Sequence, residues 1–286
     1  MGTIFDTLKD IGVASEQTKT LFATATRDNE DLPVWRDSRS GVIYIDDFYI
    51  GHEEYESGQY RDQQPSDPFE DLADSTRRLA DYEPFYRHKN ICDLGCGEGS
   101  FLIGAQQLAH AASGVELQGS FRAALNERNI PCQRSILDHP GPFDTVFMFH
   151  LLEHFEHPLR VLADVRQRMN RDGSKLIIEV PHANDFLIAT LKNQAFIDFT
   201  LWSQHLILHT RQSLAALLAA AGFANMVISG RQRYGLANHL TWLGENRPGG
   251  HRSPLASFET GQLRAAYEQA LQKFDGTDTL IAIADY

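Results

Sequence analysis

Ile91-Cys92-Asp93-Leu94-Gly95-Cys96-Gly97-Glu98-Gly99-Ser100-Phe101-Leu102 is the stretch on which the fold turns. A short apolar run ends in an acid, glycines follow at alternate positions, and apolar residues then recur at helical spacing. The pattern predicts a strand, a tight turn and a helix. Glycine takes turn dihedrals that other residues resist and lets a ligand approach the backbone. The N–H groups that open the helix are expected to face such a ligand.

Downstream, strand and helix patterns alternate. Strands are predicted at 114–117, 130–135, 143–149, 175–180, 225–229 and 279–284, with helices at 101–108, 119–128, 158–169, 212–221 and 261–274. Such alternation implies an α/β fold with a mostly parallel sheet covered on both faces. Upstream, 67–88 reads as helical with a break at Pro84, and Gly41 to Ile45 as a strand. Ile4, Phe5, Leu8 and Ile11 mark one face of an N-terminal helix within 3–25, which Leu21 and Phe22 extend. The expected division is an N-terminal extension or cap over 1–66 and a main domain over 67–286. Within the latter, 90–230 is the core, 230–274 holds an insertion near the substrate end of the sheet, and 279–284 is the last strand.

The chain has 286 residues, 42% hydrophobic and 22% charged, which is enough for a sizeable core. A net charge of -12 without any basic tract argues against a nucleic-acid backbone as the main partner. No apolar run reaches membrane-spanning length, and the acidic, mixed first ten residues do not read as a signal peptide. Cys92, Cys96 and Cys132 lack the spacing of a closed metal site and are expected as free thiols in a reducing cytoplasm.

Dinucleotide loops favour Gly-x-Gly-x-x-Gly, but Ser100 stands where that pattern wants its last glycine, and Asp93 precedes the turn. Together these features resemble motif I of the class I S-adenosylmethionine (SAM)-dependent methyltransferases. The resemblance implies a Rossmann-like, seven-stranded, mostly parallel sheet whose last two strands pair antiparallel at one edge. It implies SAM as cofactor, with Gly95, Cys96, Gly97 and Gly99 wrapping its amino-acid part and Asp93 holding its ammonium group. Glu116 lies about 19 residues beyond Gly97, the spacing at which an acid meets a ribose, and its carboxylate can accept from both hydroxyls. Leu117 stands beside it. Leu137 and Asp138 fit the adenine position, and Phe149, at the end of the fourth strand, joins the cofactor set.

The fourth strand leads into His150-Leu151-Leu152-Glu153-His154-Phe155-Glu156-His157-Pro158. This run resembles the post-strand motif of the same family. Histidine suits proton transfer near neutral pH, so His154 or His150, with Glu153 beside them, is the expected general base. The other reading is that the Glu-His pair only shapes the pocket. A metal on His150 and His154 is not expected, because Pro158 soon interrupts the helix and no acid ligand pair is evident. No zinc is expected either. Asp37 and Ser40 stand where one methyltransferase branch, often acting on sugars and other small metabolites, carries paired cysteines. Glu179-Val180-Pro181 and Gln204 to Thr210 also resemble that branch. Tyr55 and Tyr60 either close over the cofactor or pack against the domain. His182, His205, His209, His239 and His251 receive no catalytic role.

The expected activity is methyl transfer to a small polar acceptor, such as a sugar or nucleotide-sugar in surface-glycan or natural-product synthesis. The rival readings are a SAM- or nucleotide-binding protein without chemistry and an NAD-dependent oxidoreductase. The expected partner is thus a small-molecule acceptor, with no nucleic acid and no membrane; a homodimer is left open.

Overall fold

Side chains alternate across a strand, and that period sorts the core. The computed structural model describes residues 3–49, 51, 55, 56, 58 and 68–286. Its strands are β1 (Lys19–Ala23), β2 (Val34–Asp37), β3 (Ile43–Ile45), β4 (Asn90–Leu94), β5 (Ala111–Val115), β6 (Cys132–Gln133), β7 (Thr145–Phe149), β8 (Lys175–Pro181), β9 (Ile207–Leu208), β10 (Ala224–Arg231) and β11 (Thr279–Asp285). Seven of them form one sheet in the order β10-β11-β8-β7-β4-β5-β6. The pairs β4·β5, β4·β7, β5·β6 and β7·β8 are parallel, while β11 runs antiparallel to both β8 and β10. This is the expected α/β sheet with its antiparallel edge. Among the described residues no helix is long and apolar enough to cross a membrane.

Cys92, Val146, Met148, Leu176 and Ile178 face one core, against Leu162 and Val165 of the helix Pro158–Gln167 and Leu214, Leu217 and Leu218 of the helix Arg211–Ala220. Ile91, Phe147 and Ile177 face the other, with Phe101, Leu102, Tyr82 and Tyr86. The same alternation puts Asp93 and Glu179 on this second face. Glu179 is wholly buried. Arg77 donates to both of its oxygens at 2.9 Å, Arg78 donates twice to Oε2 at 3.0 and 2.9 Å, and the Tyr82 hydroxyl donates to Oε1 at 2.7 Å. Arg77 and Arg78 belong to the helix Pro68–Asp81, so this helix is tied to the sheet by charge as well as by packing. The two guanidiniums outweigh burial and hold the Glu179 carboxyl well below its ordinary value.

The N-terminal segment makes a second sheet, β1-β2-β3-β9, in which β9 comes from the far half of the chain. Leu21 and Phe22 lie in β1, paired with β2, and do not extend the first helix. That helix spans Ile4–Asp10, opened by a Thr3 and Asp6 capping box. Gly12, at φ 73°, takes the left-handed conformation that ends it. The apolar spacing runs on past a glycine that closes the helix. Asp37 Oδ1 accepts from the Arg39 and Ser40 amides at 3.0 and 2.7 Å and from the Ser40 hydroxyl at 3.0 Å. Hydrogen bonds thus brace this turn.

Glu179→Gln leaves two guanidiniums facing an uncharged partner. Removing one member of a buried pair costs about 3–5 kcal/mol, so at neutral pH the variant is expected to lose stability on that scale in urea unfolding. The depressed folded-state pKa sets the sign. The ion-pair contribution is complete above the ordinary glutamate value of 4.5 and is lost as pH falls below it. The gap between wild type and variant therefore narrows in acid; a gap constant from pH 7 to pH 3 would contradict the assignment.

Candidate active site

In a parallel sheet the site lies beyond the carboxyl ends of the strands, where the connections part to opposite sides. Here that point is between β4 and β7. From β4 the chain runs to β5 and β6 on one side, then returns to β7 on the other. The glycine loop follows β4, and His150 follows β7.

The loop is locked by its own backbone. The Gly95 and Cys96 amides donate to the Val115 carbonyl at 2.8 and 3.1 Å, and the Gly99 amide to the Cys96 carbonyl at 2.9 Å. The Gly97 amide donates to Glu116 Oε2 at 2.9 Å, while Glu116 Oε1 accepts from the Gln118 amide at 2.8 Å. Glu116 therefore clamps the loop to the end of β5. The Gly95, Cys96, Gly97 and Gly99 amides are thus engaged within the protein, and the following helix spans Ser100–Ala105. The loop also offers shape. Gly95 has φ 75°, and a Cβ there would stand 2.7 Å from Leu151 Cδ1. Glycine brings the loop directly against the segment after β7.

Asp93 is buried, and its Oδ1 has no hydrogen-bond partner among the described residues. Burial pushes its carboxyl up to about 8, against the pull of Arg78 and with the help of Glu116 and Glu179. A cation beside Oδ1 would restore its charge. Phe149 packs on Tyr82 at 5.7 Å, with the Arg78 guanidinium 4.2 Å from its ring centre. Leu137 and Asp138 sit on an exposed short turn, Ile136–Asp138, at the β6 side of the loop. The Leu117 carbonyl accepts from Arg122. Cys96 and Cys132 are free thiols whose sulfurs lie 3.8 Å apart beneath the loop.

After β7 the backbone reverses sharply. His150 takes φ 50°, rare for a residue with a side chain, and its amide donates to the Glu179 carbonyl at 2.8 Å. Its ring stands 3.5 Å from Glu153 Oε1 and 4.0 Å from Glu179 Oε2. Glu153 is wholly buried, and neither of its oxygens has a hydrogen-bond partner among the described residues. Burial pushes its carboxyl up to about 8 and pulls His154 down to about 4. Beyond the strand ends lies a cavity of about 1030 Å³, at the upper end of the range for small-molecule sites. His150, His154, His205, Trp202, Trp242 and Arg233 are among its lining residues.

The structure thus brings His150, Glu153 and His154 together, as the motif implied. It adds His205, whose ring centre is 5.0 Å from that of His154. Sequence reasoning left His205 without a role; its one signal was the Gln204 to Thr210 run that resembles the same branch. The Tyr55 hydroxyl lies 3.3 Å from His154 Nδ1. Tyr60 lies outside the described residues.

A family model described as a methyltransferase domain matches residues 60–227. In fold the chain is similar to a SAM-dependent methyltransferase from Archaeoglobus fulgidus, with a TM-score of 0.54 and 18% identity, covering 80% of this chain and 99% of that one. It is also similar to a SAM-dependent methyltransferase from Thermotoga maritima, with a TM-score of 0.51 and 14% identity, covering 82% and 97%. No curated protein matches the chain in sequence.

Gly95→Ala combines a left-handed backbone with an overlap on Leu151, and is expected to cost about 1–3 kcal/mol in thermal or urea unfolding. Adding Leu151→Ala clears the overlap but not the dihedral, so it recovers only part of the loss. Full stability in the single variant would show that the loop does not depend on this approach.

Proposed function

The chain belongs to the methyltransferase-domain family and has the fold of the class I SAM-dependent enzymes, and from this we propose that it methylates a small polar acceptor held in the cavity beyond β7. It is a methyltransferase, and its cofactor is SAM. When bound, this cofactor supplies a methyl group on a sulfonium, already a good leaving group. The residues present fit it. Asp93 offers a buried, unpartnered oxygen where a cationic ammonium is wanted. Glu116 reaches across from β5, and each of its oxygens keeps a lone pair beyond the amide bond it accepts.

The proposed cofactor set is Asp93, Gly95, Cys96, Gly97 and Gly99 for the amino-acid part, Glu116 and Leu117 for the ribose, Leu137 and Asp138 for the adenine, and Phe149 beside the reacting end. The observation that carries the acceptor site is the contact of Leu151 with the Gly95 backbone. Leu151 stands between His150 and the Glu153-His154 pair; His150 and His154 line the cavity, and Glu153 is buried beside them. There His150 or His154 takes the acceptor's proton, and the cavity orients the acceptor for in-line attack. Trp202, Trp242 and Arg233 on the same wall support a sugar or nucleotide-sugar of surface-glycan or natural-product synthesis, with rings to stack on and a cation for a polar substituent. Residues 1–66 act as a cap on the main domain at 67–286, and the reach of Tyr55 to His154 supports that role.

S-adenosylhomocysteine (SAH) binding by calorimetry tests the cofactor side. Because burial holds the Asp93 carboxyl near 8, binding a cation there must release its proton. Affinity is expected to rise with pH between 6 and 8, by up to about tenfold per unit, and to flatten above. Asp93→Asn should bind more weakly and lose this slope. A screen of glycan and nucleotide-sugar hydroxyls for transfer of labelled methyl tests the acceptor side. With an acceptor in hand, His150→Ala or His154→Ala is expected to lower turnover about 100-fold or more, with SAH affinity within a few-fold of wild type. Unchanged turnover in both would remove the proton-transfer assignment.

A further inference from the structure

Glu153, His154 and His205 each turn one potential ligand atom into a common space, and these atoms all lie within 4.8 Å of one another. We propose that this trio is a binding site for a divalent first-row transition metal ion, with its remaining coordination positions open to the cavity.

Two independent observations meet here. The first is the donor geometry. Ligand bonds of about 2.0–2.2 Å to imidazole nitrogen and carboxylate oxygen place donors on one ion about 3–4 Å apart, so ring and carboxylate rotations of under about an ångström seat it. The second is the state of Glu153. Its side chain is wholly buried, and neither oxygen is bonded among the described residues. A buried polar group is normally paired, and an unpaired carboxylate costs the protein its desolvation with nothing in return. His150 Nδ1 stands 3.5 Å from Glu153 Oε1 but makes no hydrogen bond to it. A cation between Glu153 and the two imidazoles supplies the missing partner.

The backbone holds the donors in register. The Leu206 amide donates to the Glu153 carbonyl at 2.8 Å, which fixes the His205 segment against the Glu153 turn. Trp202 packs edge-on to both rings, with centres 5.9 Å from His154 and 5.1 Å from His205. Two imidazoles and one carboxylate suit zinc, iron, cobalt or manganese better than magnesium or calcium, which prefer oxygen alone. His154 and His205 both line the cavity, so the open positions face the acceptor and would take an oxygen of it; with His154 on the ion, the acceptor's proton goes to His150. The third donor lies in a different segment from the first two, which is why spacing within the post-β7 motif did not show a site.

The test uses the full-length protein stripped of metal with a chelator and titrated with cobalt(II), followed by its visible ligand-field absorption, with zinc as competitor. One equivalent is expected to bind with micromolar or tighter affinity and to be displaced by zinc. Glu153→Gln and His205→Ala are each expected to weaken binding about 100-fold. SAH binding, measured on the same samples, reports that each variant is folded and tests the cofactor site separately. Should Glu153→Gln fail to fold, His205→Ala, which alters a partly exposed ring, carries the test. Absence of a cobalt band in a wild-type protein that binds SAH overturns the proposal, as does equal affinity in wild type and His205→Ala, which would put the ion elsewhere. Loss of SAH binding with cobalt binding intact would count against the cofactor reading and not against the metal.

Discussion

A carboxylate withdrawn from water has to be compensated, and Glu179 is, by two guanidiniums and a phenol. This cluster holds the helix Pro68–Asp81 on the sheet. Through that helix it sets much of what surrounds the site. Arg78 reaches over Phe149. Asp74, a neighbour of Arg77, binds Arg233, which forms part of the cavity wall. Asp278 then fixes the Arg233 backbone amide at 3.1 and 2.9 Å. A chain of alternating charges runs from the middle of the sheet to the edge of the cavity. Buried pairs seldom add much net stability over apolar packing; their strength is that any one partner is costly to lose.

Asp93 and Glu153 are treated the opposite way. Both are buried, and each has oxygen that nothing described satisfies. Glu179 lies in β8, Asp93 in β4 and Glu153 in the turn after β7, the strand between them, and only the first is neutralised from within. Groups left uncompensated in a cavity are where a ligand has most to gain. The protein has rigid scaffolding on one side of the sheet's end and unmet polar demand on the other, with Leu151 against Gly95 joining the two.

Much of this was legible in the chain. The alternation of apolar runs and helical stripes pointed to the mostly parallel sheet, because burial on both faces writes itself into composition, while its antiparallel edge came only from the family resemblance. The glycine loop, Asp93 and the His150 to Pro158 run were visible because close backbone approach and buried charge restrict residue type. What stayed hidden depended on contacts between distant segments. Nothing near Glu179 announced that Arg77 and Arg78 would meet it, and nothing near Glu153 announced His205. The first helix was read too long because hydrophobic spacing continued past Gly12, whose conformation decides the matter. The role of Glu116 as a clamp on Gly97 was invisible for a related reason: an acid at a strand tip reads the same whether it holds a ribose or its own backbone.

One feature of the N-terminal sheet bears on how the protein is made. β3 finds its partner in β9, well over half the chain later. While the nascent chain leaves the ribosome, the outer side of β3 therefore stays unpaired until residue 208 has emerged. Closure of such a distant pair is slow, and an open strand is a place where chains can stick to one another. Assembly of the first part of this polypeptide must wait for the last part of its catalytic half.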